Sequence, residues 1–241
     1  MRIDVHFTLP EVDPAALAES TAVVIDVLRA TTTIVEALAN GAGGVYPTTS
    51  AGDAARLAAS LGREDTLLCG EQTGLKVDGF DLGNSPAEFV EEIVAGKKLV
   101  MSTSNGTRAL SLDAEAQRVL VCAFTNLGAV ARAGASDEAL TVLCAGRADQ
   151  FAVDDALCAG HLVNRIVEDG EGLCEFNDAA RAASALAKGL SPDRAFLDGT
   201  SAGRALAEVG LGDDLDLCGE VDRHDIVPVM LDRAITLSGA R

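Results

Sequence analysis

The sequence predicts an α/β fold: three layers, with a mostly parallel or mixed sheet and helices on both of its faces. Three observations predict it. Short apolar runs recur along the chain, these runs are continuous rather than alternating, and Ala-rich stretches of helical pattern stand between them. Continuous runs suit strands covered on both faces. Their alternation with helices argues for a sheet built from crossover units.

The strands are expected at Ala22–Val27, Gly44–Tyr46, Thr66–Cys69, Leu99–Met101, Val119–Ala123 and Leu140–Cys144. Helical patterns lie at Thr32–Ala39, Ala51–Ser60, Pro86–Ala95, Asn126–Ala133 and Val153–Glu168. Pro86 suits a first helical turn, with Ser85 as its N-cap. After Glu168 the rhythm changes: a turn at Asp169–Gly172, a helix at Asp178–Lys188, a helix start at Ser191-Pro192-Asp193 and another helix at Arg204–Val209. Short segments around Asp216-Leu217-Cys218 and Val227-Pro228-Val229 close the chain. No Pro/Ser-rich linker interrupts it, so residues 1–241 read as one domain or as two closely packed α/β halves.

Composition narrows the function. With 37 acidic against 19 basic residues the net charge is −18, and no Lys/Arg run exceeds Lys97-Lys98. Nucleic acid and anionic membranes are therefore not expected partners. An anionic substrate would meet a repulsive field unless Arg29, Lys76, Arg108, Arg147 or a divalent cation reversed it locally. The six Cys form no CxxC pair or zinc-type spacing, and those closing apolar runs read as small hydrophobes. No signal-like N-terminus or bilayer-length apolar run is seen, which makes the cytoplasm the expected compartment.

Chemistry concentrates in polar loops that follow apolar runs. They are Asp26-Val27-Leu28-Arg29-Ala30-Thr31-Thr32-Thr33, then Ser102-Thr103-Ser104-Asn105-Gly106-Thr107-Arg108, and Ala145-Gly146-Arg147 with Asp154-Asp155 behind it. Hydroxyls, an amide, glycine and arginine at a helix start can hold an oxyanion. Carboxylates among them suggest a hard cation, and that pairing is what phosphoester chemistry needs. An Asp ending a buried strand must be hydrogen-bonded, paired or metal-bound, and Arg29 is one such partner for Asp26. Glu71-Gln72 and the stretch Gly79-Phe80-Asp81-Leu82-Gly83-Asn84-Ser85-Pro86 repeat the pattern of carboxylates and turn formers past a strand end. Each also reads as an ordinary turn, and Asp154-Asp155 also read as first-turn acids complementing a helix dipole. Their recurrence on successive strand ends is what favours a ligand site.

Several phosphate chemistries are excluded by spacing: there is no Cys-x5-Arg loop, Walker loop, Arg-His-Gly or Asp-x-Asp signature. One competitor does occur. Gly199-Thr200-Ser201-Ala202-Gly203 matches a nucleophile elbow, with Asp216 and His224 downstream. The segment before it is too short and polar for a central strand, and a Ser N-cap on the helix from Arg204 explains it as well.

Taken together, the loops resemble the 2-phosphosulfolactate phosphatase family over nearly the whole chain. The resemblance rests on Val24 to Thr32, Gly70-Glu71-Gln72 with Gly79 to Pro86, Thr103-Ser104-Asn105-Gly106-Thr107, and Cys144-Ala145-Gly146 with Asp154-Asp155. The family usually has Thr for Ser104 and Glu for Asp154, changes that remove no chemical group. The resemblance implies a family-specific α/β fold, Mg²⁺, a place in coenzyme M biosynthesis, and hydrolysis of phosphosulfolactate to sulfolactate and phosphate. On this reading Mg²⁺ is held by some of Asp26, Glu71, Asp81, Asp154 and Asp155, with Asp26, Arg29 and Glu71 as the catalytic groups. Substrate is expected against Thr31, Thr32, Asn84, Ser85, Thr103, Ser104, Asn105, Gly106 and Thr107. Arg147 and Lys76 are expected at its sulfonate or carboxylate end. An oriented water or an aspartyl-phosphate on Asp26 are both open routes. A serine hydrolase using Ser201 and a non-catalytic phosphometabolite binder are the alternatives, and a homodimer is a base-rate expectation.

Overall fold

The computed structural model describes residues 1–12, 14–104, 106–110, 116, 118–170 and 173–237, and of Pro14, Ala16 and Arg108 only the backbone. The strands are β1 (Arg2–His6), β2 (Thr21–Ile25), β3 (Gly44–Thr48), β4 (Thr66–Gln72), β5 (Leu75–Lys76), β6 (Lys98–Ser102), β7 (Arg118–Cys122), β8 (Ala139–Cys144), β9 (Glu175–Phe176), β10 (Pro228–Leu231) and β11 (Ala234–Leu237). The helices are α1 (Pro14–Leu17), α2 (Ala30–Ala39), α3 (Ala51–Leu61), α4 (Glu91–Val94), α5 (Gly106–Leu110), α6 (Leu127–Gly134), α7 (Val153–Asp169), α8 (Asp178–Ala187), α9 (Arg194–Asp198), α10 (Ser201–Glu208) and α11 (Asp214–Cys218).

All the strands join one mixed sheet in the order β5-β4-β6-β3-β11-β10-β7-β2-β8-β1-β9. It contains two parallel blocks. One is β4-β6-β3; the other is β7-β2-β8-β1-β9. The C-terminal hairpin β10–β11 bridges them and runs antiparallel to both neighbours. The expected α/β class with a mixed sheet is thus the observed one, and each of the six expected strands is present within a few residues.

The inner faces of both blocks share one core. Ala22 and Val24 of β2 and Val119 and Val121 of β7 cluster with Val45 of β3 and Leu99 and Met101 of β6. Helix α2 fills the space between, and accordingly Ala30–Leu38 is buried all round. The outer face of the larger block carries α6, α7 and α8 through residues such as Val130, Leu157, Leu162 and Ala183. The outer face of the smaller block carries α3 through Ala54 and Ala58. Close approach relies on small residues: a Cβ on Gly160 of α7 would lie 2.0 Å from the Ala183 carbonyl oxygen of α8.

Strand twist explains how the site is assembled. Along the sheet the two blocks point in opposite directions, yet each inter-strand step turns by about 20–25°. The five steps from β2 to β6 therefore add roughly 100–125°, so the blocks cross instead of opposing each other. The carboxyl ends of β2, β4, β6 and β8 then converge beside the N-terminus of α2.

Three expectations are corrected here. Pro86–Ala95 is not one helix: a single 3₁₀ turn at Pro86–Glu88 is followed by extended Val90 and the four-residue α4. Ser85 makes no cap bond to that turn. Ser201 is not the N-cap of the following helix, because Thr200 fills that position, its Oγ1 accepting from Gly203 N–H at 2.9 Å. The cysteines, by contrast, match expectation: they are free, and Cys69, Cys122, Cys144, Cys158 and Cys218 are buried.

Candidate active site

A cavity of about 310 Å³ opens where the strand ends meet, bordered by Asp26, Arg29, Glu71, Asn84, Thr103, Ser104, Arg147, Asp154 and Asp155. These come from four different strand-end loops and the first turn of α7.

Asp26 follows β2 and is held from both sides. Its backbone N–H donates to Thr31 Oγ1 at 3.0 Å, and Thr31 Oγ1 donates back to the Asp26 carbonyl at 2.9 Å. Its carboxylate Oδ1 accepts from Ala30 N–H at 3.3 Å. Oδ2 receives no donor among the described residues and faces Gly106, where a Cβ would lie 2.7 Å away. Asp154, in the first turn of α7, accepts only from its own backbone N–H among the described residues.

The other two carboxylates are already committed. Asp155 Oδ1 accepts from Val27 N–H at 2.8 Å and Oδ2 from Gly146 N–H at 3.0 Å, tying the β2 and β8 loops together. Glu71 Oε1 accepts from Ser104 N–H at 2.7 Å and Oε2 from Gly74 N–H at 2.6 Å, tying the β4 and β6 loops. Asp26 and Asp154 are therefore the acids with free oxygens, while Asp155 and Glu71 set the loops.

Burial governs the protonation of these acids. It pushes Asp26 up from 3.8 to about 7, with Asp154 and Glu71 adding to the rise, Ala30 N–H opposing it, and Arg29 opposing it less. Burial likewise lifts Asp154 to about 6, against Arg147. Asp155 is raised well above the ordinary range by burial and by the neighbouring charges of Asp154 and Asp26. Carboxylates this close in a poorly hydrated site cannot all ionise together, so they titrate as a group.

Two guanidiniums face four carboxylates. Arg29 is buried, with Nη1 donating to Asp214 Oδ2 at 2.7 Å and Nη2 to the Gly74 carbonyl at 2.9 Å. Arg147 is exposed, its Nη1 donating to the Ser201 carbonyl at 2.6 Å. Asn84 is buried, and its Oδ1 has no partner among the described residues. A turn locked by reciprocal bonds between Thr103 and Thr107 completes the wall, with Thr107 Oγ1 donating to the Thr103 carbonyl at 2.8 Å and Thr107 N–H donating to Thr103 Oγ1 at 3.2 Å.

The profile of the 2-phosphosulpholactate phosphatase family matches residues 7–233. A probable 2-phosphosulfolactate phosphatase of Clostridium perfringens is 39% identical over 231 residues, covering 94% of this chain and 92% of its own. The chain belongs to the 2-phosphosulpholactate phosphatase family. Proteins similarly named are 37% identical in Caldanaerobacter subterraneus (95% of each chain covered) and 38% identical in Pseudothermotoga lettingae (95% of this chain, 96% of the relative). The family name describes a phosphoric monoester hydrolase.

Within this family member the structure gathers Asp26, Arg29, Glu71, Asn84, Thr103, Ser104, Arg147, Asp154 and Asp155 around one cavity. It does not gather Asp81. That carboxylate, expected as a metal ligand, turns to the edge of the sheet, accepting from Arg63 Nη2 at 2.9 Å and Leu68 N–H at 2.8 Å. Thr31 and Thr32 are fully buried, their hydroxyls bonded to the carbonyls of Asp26 and Val27, because a threonine in a first helical turn finds backbone acceptors nearer than solvent. They shape the loop and do not border the cavity. Thr107 is equally buried, and Ser85 Oγ donates to Asp214 Oδ1 at 2.6 Å. Lys76 is exposed on β5 and does not border the cavity. Asn105 and the Arg108 side chain lie outside the described residues. The serine elbow is not assembled, since His224 pairs with Glu36 at 2.7 Å.

One residue standing behind the cavity wall was not legible in the sequence. Asp214, buried in the first turn of α11, holds both Arg29 and Ser85. An acid ahead of an apolar helix reads as a dipole complement, and nothing local signals a partner 185 residues away.

Among the described residues no three acidic, His or Cys side chains form a ready-made metal cage. The donor set nevertheless suits a small hard cation. Mg²⁺ is typically held by one or two carboxylates, with waters and substrate oxygens completing the shell, and Asp26 and Asp154 supply two with free oxygens.

Proposed function

We propose that this chain hydrolyses 2-phosphosulfolactate, or a closely related phospho-2-hydroxy acid, to the free hydroxy acid and phosphate, with Mg²⁺ as cofactor. The observation that carries this reading is the sharing of one cavity by guanidiniums and by carboxylates that keep free oxygens: Asp26 and Asp154 beside Arg29, with Arg147 at the mouth.

Charge supports it. A phosphomonoester carries roughly −1.5 to −2 at neutral pH, and a carboxylate and a sulfonate bring the substrate close to −4. Four acids and two arginines cannot attract such a molecule unaided, one arginine being already neutralised by Asp214. Asp26 and Asp154 would hold Mg²⁺. When bound, the ion offsets negative charge on the phosphoryl oxygens.

The chain's own residues account for the rest. Arg29 meets the phosphoryl group from the α2 side, where its planar donors fit tetrahedral oxyanions. Thr103 and Ser104 close the opposite side, held by Glu71. Asn84 Oδ1, buried without a partner among the described residues, accepts a hydrogen bond from a substrate or water proton in the cavity. Arg147 receives the sulfonate or carboxylate end. Water attacks phosphorus, its proton passes to the cavity carboxylates, and the ester P–O bond breaks as a carboxyl returns a proton to the leaving oxygen, which departs as the alcohol.

The test is phosphate release from a panel of phospho-2-hydroxy acids, with EDTA and with Mg²⁺ restored. Release that requires Mg²⁺ and is fastest with the sulfonated substrate is expected. Release insensitive to EDTA, or none from any member, would overturn the reading.

A further inference from the structure

Arg29 stands at the centre of a buried relay joining four distant segments. Its guanidinium reaches Gly74 in the turn between β4 and β5 and Asp214 of α11. The second oxygen of Asp214 is taken by Ser85 Oγ at 2.6 Å, in the loop before the 3₁₀ turn. The ion pair is closed to solvent: its side chains are 2% and 6% exposed. A carboxylate with one donor on each oxygen has little freedom to rotate. Together with the Gly74 carbonyl on Nη2 it therefore holds the guanidinium at two points, Nη1 and Nη2, which sets the plane of the group. Two of the five guanidinium N–H groups are thus committed, which leaves donors for an anion in the cavity that Arg29 borders.

We propose that Asp214 is a positioning residue of the active site, holding Arg29 through its clamp with Ser85 in the orientation that meets the substrate's phosphoryl group. The inference rests on the reading of Arg29 given above. It also assigns a role to α11, which contributes no group to the cavity wall itself. The chain folds α10 and α11 against the site so that an acid from the last fifth of the sequence steadies an arginine from the first.

A double-mutant cycle tests it. In the wild-type background Asp214→Asn is expected to lower kcat/KM for the phosphomonoester by about 10²-fold, the loss typical of a binding group displaced by ~1 Å. In the Arg29→Ala background the same substitution is expected to change it less than about twofold, because a group acting through Arg29 has nothing left to act on. Equal losses in both backgrounds, or no loss in either, would overturn the proposal. Should Asp214→Asn fail to fold, Ser85→Ala frees only one Asp214 oxygen; a loss of about three- to tenfold, again absent without Arg29, is expected. Side-chain ¹⁵N NMR gives a readout independent of turnover: Arg29, assigned by its disappearance in Arg29→Ala, should show hindered guanidinium rotation that Asp214→Asn releases. Unaltered rotation would overturn the positioning role alone. Released rotation with phosphate turnover unaffected would overturn the assignment of Arg29 to the phosphoryl group, and with it the reading on which the proposal stands.

Discussion

Replacing Asp26 with Asn should make the metal-free protein more stable while removing its activity. Asp26 is buried, and its pKa is raised from 3.8 to about 7. A group whose folded-state pKa is raised stabilises the fold only below its unfolded value, and that stability drains away as pH climbs through the folded value. At about 1.36 kcal/mol per unit, a rise of roughly three units costs the folded state about 4 kcal/mol by pH 8. At pH 5.5 only the part above 3.8 has been lost, about 2 kcal/mol. Asn keeps the shape and the acceptor for Ala30 N–H but carries no charge. Urea unfolding in EDTA should therefore find Asp26→Asn more stable by about 2 kcal/mol at pH 5.5 and about 4 at pH 8. Mg²⁺ should narrow the difference, because it stabilises the folded wild type by mass action and the variant less. Turnover should fall by at least about 10²-fold. A gap that does not widen with pH, or a variant less stable at pH 8, would refute the argument that Asp26 is a buried acid held against its own solvation.

Two further substitutions probe the walls of the cavity. Gly106→Ala places a Cβ 2.4 Å from Ala30 Cβ and 2.7 Å from Asp26 Oδ2, so the gain in helix propensity is outweighed; a loss of about 1–3 kcal/mol should appear as a lower melting temperature, together with reduced kcat. Arg147→Ala should chiefly raise KM for the sulfonated substrate, since this exposed arginine lies at the cavity mouth; an equal loss with a sulfonate-free phosphoester would remove Arg147 from substrate recognition.

The apolar runs located the central strands because strands covered on both faces leave a continuous hydrophobic signature. β1 escaped: Arg2 to His6 alternates, with Ile3 and Val5 buried between polar residues, and its five residues of mixed charge look like a tail. The β10–β11 hairpin escaped for a different reason. Its two-residue turn, Asp232-Arg233, has positive φ at both positions, a geometry usually announced by Asn-Gly or Asp-Gly. Missing it hid the bridge between the two parallel blocks, and so the crossing that brings four strand ends together. For the site, Asp26, Glu71 and Asp154-Asp155 were visible as carboxylates past strand ends. Asp81 carried the same local signal, yet an arginine at the sheet edge claims it.

The sequence alone settled the α/β class, the six principal strands and the loops in which the chemistry lies, because these follow from hydrophobic periodicity and from residue types a few positions apart. Which carboxylates keep free oxygens, which hydroxyls turn inward, and that Asp214 steadies Arg29 were decided only in three dimensions. Hydrogen bonds spanning more than a hundred residues, such as Asp155 to Val27 and Asp214 to Arg29, leave no periodic trace in a chain. They exist because twist and burial bring those groups within reach of one another and away from water.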